Sequence, residues 1–277
     1  MRLGDGYETG VYVYLPAKQA RRRDPVVYLH GIQSHPGWFT GSAAALAAAG
    51  HPVFQPVRRG SGEDTGTRGD AKSAKRLLDD VDAACHFAMD KSGADRVHLV
   101  GISWGGKVAA AFAVARGGEH DIASLTMVAP GIAPHVDVSL PIKLGIGICL
   151  LFYPRKRFNI PLNDVKLFTD NAMMRDYLEE DTFRLHRATA RFLFASRRLD
   201  SMLKHAPDGC LRDLPTTLLL GTRDRIIDNV RTRRIFRHLT AARGRIEEPD
   251  AAHTLEFEAN PRRYFELLVD AVARGEK

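Results

Sequence analysis

Cysteine is scarce in this chain. Three occur among 277 residues, at Cys85, Cys149 and Cys210, too few and too scattered for a disulfide framework. No Cys-x-x-Cys and no His-Glu-x-x-His is present, so no metal is expected. Gly145-x-Gly147 lacks a third glycine and a following βα context, so no dinucleotide site is implied and no cofactor is expected. Long apolar runs are also missing. Leu144 to Tyr153 is far short of the ~20 residues that span a bilayer. Met1-Arg2-Leu3-Gly4-Asp5 has no apolar h-region, so no secretory signal is read, and with the sparse cysteines this favours the cytoplasm. Acidic residues are outnumbered, 33 against 40 basic ones, for a net charge of +7. No nucleic-acid motif accompanies that charge, and no nucleic-acid partner is expected. The charge suits an anionic lipid surface, leaving a peripheral membrane contact open, or simple solubility. Arg21-Arg22-Arg23 reads as a solvated loop. Oligomeric state is not legible.

What is present is a loaded turn. Gly101-Ile102-Ser103-Trp104-Gly105 follows the apolar run Val97-His98-Leu99-Val100 and opens an Ala-rich segment from Lys107 to Ala115. That order predicts strand, sharp turn and helix, with the Ser103 hydroxyl pushed out at the top of a sheet. The first N–H groups of the helix point back to the same spot, where negative charge can be stabilised. Gly101 to Lys107 also fits the start of a phosphate-binding loop, but Val108 stands where that motif needs Ser or Thr, and Trp104 crowds its interior.

A serine hydroxyl needs a base, and the base needs a carboxylate to fix its tautomer. Both follow in the order Ser, Asp, His. Leu214 to Gly221 reads as a short buried strand, with Thr222-Arg223-Asp224 in the loop after it. A weaker strand, Gly244 to Glu248, leads through Pro249-Asp250-Ala251-Ala252 to His253. Asp228 precedes a helix-like run and reads as an N-cap, and Asp250 as a turn residue. His86 and His98 fall on a helix and a strand with nothing catalytic beside them. The N–H of Trp104 is one expected oxyanion donor. The strand Pro25 to Leu29 ends in His30-Gly31-Ile32-Gln33, where the Ile32 N–H is the second and His30 is a structural hydrogen-bonder rather than a base.

These segments resemble the α/β-hydrolase superfamily, and within it the monoacylglycerol lipase and lysophospholipase branch with its serine aminopeptidase-like members. The resemblance rests on His30-Gly31-Ile32, Gly101-Ile102-Ser103-Trp104-Gly105-Gly106, Gly221-Thr222-Arg223-Asp224 and His253-Thr254-Leu255-Glu256. It implies Ser103 as nucleophile, Asp224 as acid, His253 as base, and Ile32 and Trp104 as oxyanion hole. One departure stands out. Where the family has Asp-x-Arg-Gly-x-Gly, this chain has Val57-Arg58-Arg59-Gly60-Ser61-Gly62.

Strand-like and helix-like runs alternate without repeat or linker, which predicts an α/β fold with a mostly parallel sheet covered by helices on both faces. Residues 1–130 and 215–277 are expected to form this core. Residues 131–214 break the alternation and are expected to form a helical cap insertion, opening with prolines and becoming helical from about Thr169 to Leu203. Its Leu, Ile and Phe residues, Phe152 and Phe194 among them, serve either the cap's own core or an acyl pocket. The expected partner is a small or lipid-like ester, cleaved through an acyl-enzyme. An amide or peptide hydrolase would use the same groups, with Glu179, Glu180 and Asp181 as candidates to hold a free amine or as a solvated helix face. A non-catalytic binding protein would have no need of the full set.

Overall fold

Short strands of three to seven residues, most of them rich in Val, Ile or Leu, build a seven-stranded sheet. In the computed structural model, which describes residues 1–17, 23–64, 66–116 and 121–276, the strands are β1 (Val11–Tyr14), β2 (Val26–Leu29), β3 (Val53–Pro56), β4 (Val97–Ile102), β5 (Ile122–Val128), β8 (Thr216–Leu219) and β9 (Arg245–Glu247). Their order is β1-β3-β2-β4-β5-β8-β9. Only β1 runs antiparallel to its neighbour; the other pairings are parallel. Every residue of β2, β3, β4 and β8 is buried, which requires cover on both faces. Helices α1 (Thr40–Ala48) and α8 (Arg262–Ala273) pack together as one layer, and α2 (Ala74–Ser92) and α3 (Trp104–Ala115) as another. Helix α7 (Asn229–Leu239) joins β8 to β9. Arg21 and Arg22 of the basic run lie outside the described residues.

Between β5 and β8 the chain leaves the sheet and forms α4 (Leu140–Phe152), β6 (Arg157–Asn159), α5 (Ala172–Glu180), β7 (Arg187–Thr189) and α6 (Ala190–Lys204). Two expectations change here. The proline-bearing start contains a helix, because Pro141 stands in its first turn, where a missing N–H removes no helical hydrogen bond. The expected single helical stretch divides: Asp181 leaves the helical region at φ −67°, ψ 101°, and the chain then pairs β7 with β6 before Thr189 caps α6 by accepting from the Phe192 N–H at 3.2 Å.

Within the segment Ile160, Leu178, Leu185, Phe192, Leu199 and Leu203 are buried, in one cluster with the core around the sheet. Helix α4 is different: it rests on α6, yet of its residues only Cys149 is buried. Phe152 and Phe194, considered as pocket residues, are 70% and 45% exposed, so neither lines an enclosed pocket. Among the described residues no helix is long and apolar enough to cross a membrane.

Candidate active site

The turn between β4 and α3 places Ser103 in a backbone conformation that side chains rarely adopt, φ 53° and ψ −122°. Such a residue stores on the order of 1–3 kcal/mol and persists only where its surroundings over-determine it. Here the Ser103 N–H donates to the Val128 carbonyl at 2.8 Å, and its own carbonyl accepts from Gly131 N–H at 2.8 Å. A side chain on Gly105 would collide with the carbonyl oxygens of Leu29 and His30, so only glycine lets α3 start this close to the end of β2.

His253, on the loop after β9, lies with Nε2 2.9 Å from Ser103 Oγ and Nδ1 2.8 Å from Asp224 Oδ2. A carboxylate only accepts, so Nδ1 carries the proton and the Nε2 lone pair faces the hydroxyl. Asp224 Oδ1 accepts from the N–H groups of Ile226 (2.8 Å) and Ile227 (3.0 Å), which fix the orientation of the carboxylate. The two side chains are 2% and 0% exposed, so water does not compete for these bonds. The rival carboxylates are engaged elsewhere. Asp228 caps α7 by accepting from the Arg231 N–H at 2.9 Å, and Asp250 accepts from Arg223 Nε at 2.6 Å.

Arg223, next to Asp224, ties the two loops together. Its guanidinium also reaches Asp170 and, at 2.9 Å, Glu258, whose other oxygen accepts from the Ala252 N–H at 2.6 Å. Glu258 is not among the candidates read from the sequence.

The loop after β2 completes the arrangement. A Cβ on Gly31 would lie 3.3 Å from Ser103 Cβ, so this loop runs against the hydroxyl. Ile32 follows it, and the Trp104 N–H opens α3 beside Ser103. His30 is buried, and burial together with the Arg58 charge holds its pKa well below the usual value. Neutral His30 is set by its neighbours: its Nε2 accepts from the Arg58 N–H at 3.1 Å, leaving Nδ1–H to donate to the Gly31 carbonyl at 3.0 Å.

Residues of the 131–214 segment close over these groups. Phe168 sets its ring edge-on to His253, with centroids 6.0 Å apart, and its carbonyl accepts from Thr254 N–H at 2.9 Å. Phe192 stacks on Trp104 at 5.2 Å, and Trp104 Nε1 donates to Ser196 Oγ at 2.9 Å. Asp181 is not on a solvated face. Its side chain is buried, accepting from Trp38 Nε1 (2.7 Å), Phe183 N–H (2.9 Å) and His35 Nε2 (3.1 Å), so Asp181 itself is not open to receive an amine. Glu179 and Glu180 are exposed.

Glu256 is a further, largely enclosed carboxyl. It caps α1 by accepting from the Gly41 (2.7 Å) and Ser42 (3.1 Å) N–H groups and from the Ser42 hydroxyl. Burial raises its pKa from 4.5 to about 7 despite these donors. With the folded value raised, stability is fully present below about pH 4.5, falls as pH climbs towards 7, and is flat above. The loss is on the order of 3 kcal/mol. Glu256→Gln should remove that slope, so thermal unfolding of the two proteins from pH 4 to 8 should diverge only across this window.

His51, His98 and Glu276 have ligand-type atoms within 4.8 Å of one another at the end of β4 away from Ser103. They are engaged internally, His98 with Ser124 Oγ (2.8 Å) and Glu276 (3.2 Å), His51 with the Asp24 carbonyl (2.9 Å).

Solved structures share this architecture. The monoacylglycerol lipase of Paleococcus ferrophilus is 22% identical, with TM-score 0.77 over 96% of this chain and 100% of that one. A soluble variant of the Saccharomyces cerevisiae monoglyceride lipase is 18% identical, with TM-score 0.78 over 95% and 92%. A carboxyl esterase from Bacillus coagulans is 14% identical, with TM-score 0.80 over 99% and 96%. At these identities the likeness shows the fold. No curated protein matches the sequence. The family described as serine aminopeptidase, S33, matches residues 20–260. With that match over most of its length, the chain belongs to the serine aminopeptidase S33 family of hydrolases.

Proposed function

We propose that the protein hydrolyses carboxylic esters, without a cofactor, through an acyl-enzyme on Ser103. The observation that carries this reading is the continuous chain from Ser103 Oγ through the buried His253 and Asp224 side chains, ending at a strained strand–helix turn. His253 Nε2 takes the hydroxyl proton as Ser103 Oγ attacks the ester carbonyl, and Asp224 stabilises the imidazolium. The oxyanion is received by the N–H groups of Ile32 and Trp104. His253 then protonates the leaving alcohol. A water deprotonated by the same imidazole releases the acid.

An ester is favoured over a peptide with a free amino terminus because, of the three candidate acids, Asp181 is consumed by Trp38 and His35 and Glu179 and Glu180 stand exposed to solvent. The lipase and esterase structures of like fold are consistent with that choice. Residues 131–214 act as a cap that receives the acyl part, since Phe168 and Phe192 already touch His253 and Trp104. Each methylene buried there is worth ~0.8 kcal/mol, so kcat/KM for p-nitrophenyl esters should rise roughly threefold to fourfold per CH₂ until the pocket is full. A preference for acetyl esters, or for p-nitroanilides carrying a free α-amine, would overturn the lipid-like reading.

The exposed side chains Leu144, Leu151 and Phe152 of α4, with Lys143, Arg155 and Lys156 beside them, give a face for transient contact with an anionic lipid surface. Co-sedimentation with phosphatidylserine vesicles should be seen for the wild type and lost in Leu151→Asp/Phe152→Asp. Equal partitioning of both proteins would remove this role.

A further inference from the structure

Resting on the reading of Ser103 as nucleophile, we infer that Arg58 is a positioning residue for the oxyanion hole: its guanidinium pins the carbonyls of Gly31 and Ile32 and so aims the Ile32 N–H. Arg58 occupies the second position of the segment in which Val57 stands in place of the family's aspartate. Its Nη1 donates to the Gly31 carbonyl at 3.2 Å and its Nη2 to the Ile32 carbonyl at 2.8 Å. The Gly31 carbonyl also accepts from His30 Nδ1, and His30 is held in that tautomer by the Arg58 backbone N–H. One residue therefore controls both donors on the Gly31 oxygen.

The consequence follows from peptide geometry. In a planar trans peptide the C=O and the N–H across the bond point in opposite directions. Drawing the Gly31 oxygen towards Arg58 turns the Ile32 N–H away from it. Gly31 itself abuts Ser103, so that N–H belongs to the loop face that borders the hydroxyl. Charged donors on a carbonyl also polarise the amide and make its N–H a stronger donor.

The guanidinium of Arg58 is met by neutral groups, the two carbonyls and two aromatic rings. Among the described residues no carboxylate is paired with it, its Nε is buried without a partner, and the charge acting on it, Arg68, has the same sign. Burial and Arg68 lower the guanidinium to about 9. It lies over the rings of Trp104 (4.8 Å) and Phe192 (5.3 Å), whose π faces compensate only in part. An oxyanion forming at Ser103 supplies a counter-charge one peptide unit away, so Arg58 interacts more strongly with the transition state than with the ground state.

Arg58→Met keeps the length and the stacking and loses the donors. Removing one oxyanion donor typically lowers kcat by about 10²–10³, and misaiming one should lower it by roughly 10–100-fold. The expected result is that fall in kcat, with KM within about twofold. Affinity for a trifluoromethyl ketone, which forms a hemiketal with the serine, should drop in proportion, while affinity for an unreactive ketone analogue should not. Arg58→Lys retains charge without the fork and should recover part of the loss; should Arg58→Met fail to fold, a tenfold lower kcat in Arg58→Lys carries the test. A folded Arg58→Met or Arg58→Lys with wild-type kcat overturns the inference, as does equal loss of both ketones. If Ser103→Ala retains activity, the functional reading fails instead; if Ser103→Ala is inactive and the Arg58 variants are normal, only this inference fails.

Discussion

Ser103→Ala is expected to lower kcat for p-nitrophenyl butyrate by about 10⁶-fold while leaving the fold intact, because nucleophile, base and carboxylate act as a unit. The Ser103 side chain contributes one hydrogen bond, to His253, and no core packing, so its loss should change stability by about 1 kcal/mol or less. The same unity gives a second reading of the experiment. Ser103→Ala/His253→Ala should be no slower than either single variant, since once the nucleophile is gone the base has nothing to deprotonate. Circular dichroism and thermal unfolding of each variant separate chemistry from folding. Activity within tenfold of wild type in Ser103→Ala would remove the residue from the mechanism.

Asp224→Asn is expected to lower kcat by roughly 10⁴. The amide can donate where the carboxylate only accepts, so it favours the imidazole tautomer with its proton on Nε2, which then faces Ser103 Oγ with a hydrogen instead of a lone pair. The amide should still accept from Ile226 and Ile227 through its oxygen, so the loop should hold. Asp228→Asn provides the contrast four residues on. That side chain caps α7 and touches neither Ser103 nor His253, so about 1 kcal/mol of stability is at stake and turnover should barely change. Measuring kcat and unfolding for both variants discriminates the two carboxylates; a kinetic loss confined to Asp228→Asn would mean the wrong one has been chosen.

The elements that hold these residues are legible in the chain because their signals are local. Val97 to Val100 followed by Gly-x-Ser-x-Gly and an alanine run specifies β4, turn and α3 within twenty residues, and Asp224 and His253 each follow a strand in the expected order. Local signals misjudge the 131–214 segment. The prolines there suggested irregular chain, but Pro141 sits in the first turn of α4, the one helical position that tolerates it. Asp181 ends an acidic helix and looks like a solvated residue; its burial depends on Trp38 and His35, more than 140 residues away in the chain. Arg58 is similar. The family pattern singles out Arg59 and leaves Arg58 at a variable position; Arg59 is paired with Asp5 and Asp80, whereas Arg58 turns to the carbonyls of the loop after β2. Which basic residue is paired is decided by tertiary contacts that a single sequence does not display. Glu258 belongs to the same class, since its role comes from the approach of Arg223 and Ala252.

The most direct measurement is the site of covalent labelling by a fluorophosphonate, read by peptide mass spectrometry alongside loss of ester turnover. The phosphonyl group mimics the tetrahedral intermediate and reacts only with a hydroxyl activated by a neighbouring base. The expected result is one adduct per chain, on the peptide carrying Ser103, forming in step with inactivation and absent from Ser103→Ala and His253→Ala. An adduct on another residue, or undiminished ester turnover after Ser103 has been fully labelled, would contradict the account.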